Sequence, residues 1–120
     1  MLELISDLPD NVVGIRAIGD VEDDDYQDVL VPEIQDRLAR HDKIRLLYVL
    51  GPEFDGYEAD AMWEDAKLGM RTFTSYERIA VVADSTLVRR SVKAFGWLMP
   101  GELRVFPVAD QQAATAWIQE

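Results

Sequence analysis

The chain has no cysteine and a single histidine. The first absence excludes disulfides, thiolate nucleophiles and cysteine-based zinc sites, and leaves only oxygen or lone-imidazole ligands for a metal. Long apolar runs are missing too. Nothing approaches the roughly 20 apolar residues of a membrane span, and the opening MLELISDLPD has neither the basic nor the apolar region of a secretory signal. A cytoplasmic location without membrane insertion is expected. Linkers, low-complexity tracts and internal repeats are also lacking, so residues 1–120 are expected to form one domain. Basic residues are scarce: 12 Lys and Arg stand against 23 Asp and Glu, a net charge of −11. Such a surface repels a phosphate backbone, and nucleic acid is not an expected partner.

What is present suffices for a folded domain. Hydrophobic residues make up 48% of the chain, and a domain of this length buries roughly two thirds of the surface of its unfolded chain. The charge is uneven. Residues 1–65 hold 18 acids and 5 bases, net −13, whereas residues 66–120 hold 5 acids and 7 bases, net +2. That asymmetry is either solvated acidic surface or a driver of self-association or partner binding.

Leu2 to Ile5 reads as a short strand, and Pro9-Asp10-Asn11 as part of a turn into a second strand, Val12 to Ile18, making a hairpin. Glu22 to Asp25 suits the positive end of a helix dipole. Tyr26, Leu30, Ile34 and Leu38 then recur every four residues, a helix ending near Arg40 and His41. Pro32 conflicts with it, which predicts a kink or a helix that begins in earnest near Val31. Ile44 to Leu50 is nearly all apolar on both faces, as a central strand covered from both sides should be. Gly51-Pro52 stops it. Ala59, Met62, Trp63, Ala66, Met70 and Phe73 then follow helical spacing. Ile79 to Ala83 reads as a buried strand, and Asp84, Ser85 or Thr86 as the cap of a third helix running through Val88, Val92 and Phe95. Leu103 to Phe106 is a further strand. Asp110 is expected to cap a last helix presenting Ala113, Ala114, Trp117 and Ile118. The order ββαβαβαβα describes an α/β fold, a mixed, mostly parallel sheet flanked by helices.

Over almost its whole length the chain resembles the STAS domains of bacterial anti-sigma-factor antagonists, through VVGIRAIGDVEDDDYQDVLVPEIQDRLARHDKIRLLYVL and IAVVADSTLVRRSVKAFGWLMPGELRVFPVADQQAATAWI. Within that superfamily MWEDAK, RIAVVAD and the terminal A-x-x-W-I resemble the SpoIIAA-like group, also called STAS/SEC14. The resemblance implies a SpoIIAA-like fold and a non-catalytic regulatory role. The antagonists carry an Asp-Ser-Ser-Gly motif after the central strand, with a phosphorylated serine. The matching stretch here is Phe54-Asp55-Gly56-Tyr57, which keeps Asp55 and neither serine. A serine phosphorylation switch is therefore not expected.

Candidate chemistry is sparse. His41 at a helix end suits the dipole better than catalysis. The run Glu22 to Asp25 lacks the alternating ligands and central Gly of a calcium loop. No phosphate-loop motif follows the central strand, and Glu53, Asp55, Glu58 and Asp60 would oppose an anion there. No cofactor, metal or catalytic residue is assigned. Phe54, Asp55, Gly56 and Tyr57, read as a partly exposed loop, are candidates for partner or ligand binding together with Met62 and Trp63. Met62 and Trp63 either fill a core or line an apolar cavity under the second helix. Arg89, Arg90 and Lys93 are either a solvated face or a docking surface. With Trp97 and Leu98 they are candidates for a homodimer contact against the acidic first half.

The expected partner is an unidentified protein or, as the SEC14 comparison implies, a lipophilic small molecule. If Trp63 is core, Trp63→Ala should cost roughly 3–5 kcal/mol in denaturant unfolding. A change below about 1 kcal/mol would assign it to a cavity wall or the surface.

Overall fold

A computed structural model describes residues 1–51, 54–57, 75–84, 89–90 and 101–120. Its strands are β1 (Leu2–Leu4), β2 (Val12–Ala17), β3 (Gly19–Val21), β4 (Ile44–Leu50), β5 (Phe54–Tyr57), β6 (Tyr76–Ala83) and β7 (Glu102–Phe106). The helical segments are α1 (Asp23–Asp25), a π turn (Tyr26–Leu30) and α2 (Val31–Leu38), then a 3-10 turn (Val108–Asp110) leading into α3 (Gln111–Gln119). Arg89 and Arg90 have helical backbone where the third helix is expected. The expected second helix, with Met62 and Trp63, lies outside the described residues, as do Lys93, Trp97 and Leu98.

Five strands form a sheet in the order β1-β2-β4-β6-β7. β1 and β2 make the expected antiparallel hairpin, with Leu2 opposite Ala17. The pairs β2–β4, β4–β6 and β6–β7 are all parallel. β4 is hidden on both sides: Leu46, Tyr48 and Leu50 pack into one apolar cluster, Leu47 and Val49 into the other. Successive strand residues face opposite ways. Burial of both faces is therefore the reason this strand is almost continuously apolar.

The first cluster is roofed by the helix that follows β3, through Tyr26, Leu30 and Ile34, all fully buried. Burial of the Leu30 and Ile34 side chains contributes about 1.5–3 kcal/mol each. The helix begins as its acidic run suggests, with the Asp25 carboxylate accepting the Glu22 backbone N–H at 2.8 Å, half of a capping box. Pro32 is accommodated by a π turn: the Val31 N–H reaches back five residues to the Tyr26 carbonyl, and Pro32 falls in the first turn of α2. Pro32 has no N–H to pair, and it follows on the wider i→i+5 turn instead of interrupting a regular α-helical ladder.

The second cluster lies under α3, where Ala114, Trp117 and Ile118 cover Val12, Leu47, Val49, Ala80 and Val82. Two expectations for α3 are corrected. Ala113 is exposed, because an apolar stripe through 114, 117 and 118 leaves it on the solvent side. Asp110 occupies the N-cap position without a side-chain cap bond, since the 3-10 turn already carries the chain into the helix.

The other end of α3 is tied to the sheet by arginines. Arg78 Nη1 donates to the Trp117 carbonyl and Arg45 Nη1 to that of Ile118, both at 3.0 Å. Cationic donors at unmatched last-turn carbonyls also oppose the negative pole of the helix. Arg78 and Arg104 stand 5.0 and 5.2 Å from the Trp117 ring centroid, within cation–π range.

Two glycines are required by geometry. Gly19, at φ 62°, lets the chain turn from β2 into β3 in a left-handed conformation. At Gly101 a Cβ would lie 2.5 Å from the Tyr76 carbonyl oxygen and 2.7 Å from that of Glu77. Both are main-chain atoms, so β6 and β7 would have to shift. Gly101→Ala should cost about 1–3 kcal/mol, read as a lower urea midpoint at unchanged m-value. Wild-type stability would mean that the strand pair yields freely.

Candidate interaction site

The four residues Phe54–Tyr57, after β4, form a strand. This corrects the expectation of a loop at Phe54, Asp55, Gly56 and Tyr57: they constitute β5, which pairs in parallel with β3 as a separate two-stranded sheet. Gly19 is opposite Phe54, Asp20 opposite Gly56 and Val21 opposite Tyr57, with an irregularity between Gly19 and Asp20. β3 follows β2 after one residue, and β5 follows β4 closely. The ribbon thus repeats the parallel β2–β4 pairing beyond the carboxyl end of the main sheet. Aromatic residues at both ends of β5 suit a strand.

Several contacts organise this end of the sheet. The Met1 amino group donates to the carbonyls of Ile18 and Asp20, at 2.8 and 2.6 Å, and lies 3.2 Å from the Asp25 carboxylate. Beyond β6, Asp84 Oδ1 accepts the Val108 backbone N–H at 3.0 Å, at the start of the 3-10 turn. From sequence Asp84, Ser85 and Thr86 are alternative caps for the helix that follows. The observed bond of Asp84 caps a turn 24 residues further on. Asp20, Glu22, Asp24 and Asp28 are exposed along β3 and the first helix. These exposed carboxylates make the described part of this end acidic.

The amino end of the sheet carries a different cluster, which sequence spacing did not reveal. Asp10, in the β1–β2 turn, accepts from Arg40 Nε at 2.9 Å and Nη2 at 3.0 Å, and His41 Nε2 lies 2.7 Å from its Oδ2. The Arg40 hydrogen bonds first, and the His41 contact next, hold the Asp10 carboxyl well below the usual carboxylate range. Arg40 in turn holds its proton more tightly, through Asp10 and then Asp36. Arg37 adds bonds to the Asp10 and Val12 carbonyls while pairing with Glu33. His41 therefore helps to fasten the hairpin turn to the end of the helix, in addition to sitting near the helix dipole. Among the described residues no group of three His, Cys, Asp or Glu could hold a metal.

Of the basic candidates, Arg90 is exposed and Arg89 partly so. Among the described residues Gln111, Gln112 and Thr115 line an open depression on α3. No described helix is long and apolar enough to cross a membrane.

A mixed sheet with one antiparallel edge, helices on both faces and a short ribbon beyond its carboxyl end is the architecture of a STAS-type domain. The chain belongs to the SpoIIAA-like family, whose model matches residues 12–119. It is similar to the crystal structure of an uncharacterized protein of the DUF3478 family, with a SpoIIAA-like fold, from Shewanella loihica PV-4. Identity is 25% and the TM-score 0.74, over 98% of this chain and 92% of that one. No curated protein matches the sequence significantly.

The Asp10 cluster has a measurable consequence. A depressed carboxyl pKa contributes stability above the unfolded value, near 3.9, that is lost as pH falls through the folded one. Asp10→Asn should therefore be less thermostable than wild type at pH 7, and the gap should narrow progressively as pH falls below about 5. Equal melting temperatures at neutral pH would show that the cluster is not stabilising.

Proposed function

We propose that this protein is a non-catalytic regulatory or protein-interaction domain of the STAS type, one that works without a serine phosphorylation switch. The observation that carries the reading is the ribbon β3–β5 beyond the carboxyl end of the parallel strands, the end at which open α/β sheets present their binding surfaces. Family membership supports the class of role. The content of Phe54–Tyr57 supports the absence of the switch, because no serine is available to be modified. The contact surface comprises Phe54, Asp55, Gly56 and Tyr57, together with Met62 and Trp63 of the helix expected from the sequence, which lies outside the described residues. Its acidity favours a partner with basic groups. An additional docking face on Arg89, Arg90 and Lys93 would take acidic groups by the same reasoning.

Native mass spectrometry of the protein isolated from its own host tests the proposal. The expected result is a stoichiometric protein partner, lost when Asp55 is changed to Lys. A retained lipophilic small molecule would replace this reading with that of a carrier or sensor whose cavity lies under the second helix. Stoichiometric phosphate on Phe54–Tyr57 would overturn the switch-free part.

A further inference from the structure

We infer that the protein pairs with a second copy of itself through β7, edge to edge and antiparallel about Leu103. β7 ends the five-stranded sheet, and among the described residues no strand pairs with its other side. A strand edge presents unmatched N–H and C=O groups that template further pairing unless charge or shape prevents it. At β7 the charges assist. Glu102 and Arg104 are both exposed and, two residues apart, share one face of the strand. In a two-fold pair centred on Leu103, residue 102 of each copy stands opposite residue 104 of the other. Each Glu102 then meets an Arg104, so the symmetric contact gains two cross-strand ion pairs in one register.

Neither side chain is committed elsewhere strongly enough to prevent this. The Glu102 side chain is 65% exposed and reaches Arg78 only at 3.8 Å. Arg104 contacts the Trp117 ring, which leaves its charge unneutralised. The opposite edge of the sheet behaves differently. The middle residue of β1 is Glu3, exposed, and the same two-fold pairing would set Glu3 against Glu3. Like charges directly opposite one another disfavour that pairing, so β1 is protected while β7 is self-complementary. A single five-residue edge buries far less than the roughly 1,200 Å² of a stable specific interface, so the dimer is weak and reversible. It is distinct from the charge-face contact expected at Arg89, Arg90 and Lys93.

Sedimentation equilibrium up to about millimolar concentration tests the pairing, with the full chain and the variants E102R and R104E. Wild type should associate, and each variant alone, which sets like charges opposite, should have a dissociation constant about tenfold higher or more. An equimolar mixture of the two variants should recover association to near the wild-type level. In the mixed dimer both 102–104 pairs again carry opposite charges, which a general effect of surface charge would not achieve in this register. Raising salt to about 1 M should weaken wild type. Thermal unfolding of each variant checks the fold. If R104E does not fold, E102R, which keeps the Arg104–Trp117 contact, and the salt series still decide. A wild type that stays monomeric, variants that associate like wild type, or a mixture no better than its components would each overturn the inference.

Discussion

Strand β4 has parallel neighbours on both sides and apolar cover on both faces. Parallel strands cannot be joined by a tight turn, because each connection must return the chain to the starting end of the sheet. The connection from β2 to β4 therefore carries a helix, and its buried stripe of Tyr26, Leu30 and Ile34 supplies the cover that the sheet requires. The same constraint brings the ends of β2, β4, β6 and β7 to a common edge. The β3–β5 ribbon and the Asp84 contact with Val108 occur there because that is where the strands deliver the chain.

Polar groups divide between the two ends of the sheet. At the amino end, Arg45 and Arg78 hold the last carbonyls of α3, while Arg37, Arg40 and His41 grip the hairpin turn at Asp10. Arg45 is the most enclosed of these, 11% exposed, and is paired with Glu77, whose carboxyl it holds below the usual range. The bases of this region are largely occupied by structure. The carboxyl end retains exposed acids, and its electrostatics follow from that division as much as from the net charge of −11.

Family membership fixes the fold of this protein more firmly than its role. The SpoIIAA-like family model matches residues 12–119, and the stretch after β4 reads Phe54-Asp55-Gly56-Tyr57. The sheet itself depends on apolar burial on both faces, and a fold fixed in this way does not by itself fix a function.

The sequence alone determined the parts of the structure that rest on local pattern. Ile44–Leu50 reads as a two-sided strand because every position is apolar or amphipathic, and Val12–Ala17, the first helix and the apolar stripe of α3 are legible by the same periodicity. Family kinship was legible as well, from the order and spacing of short motifs. Tertiary structure alone decided which distant residues meet. β3 and β5 are each too short to show a period, and their pairing joins segments some 35 residues apart in sequence. Asp10 with His41, Asp84 with Val108, and Arg45 with Ile118 are likewise long-range contacts. No local spacing encodes them, because each partner is brought within reach only when parallel strands align their ends and helices pack across them.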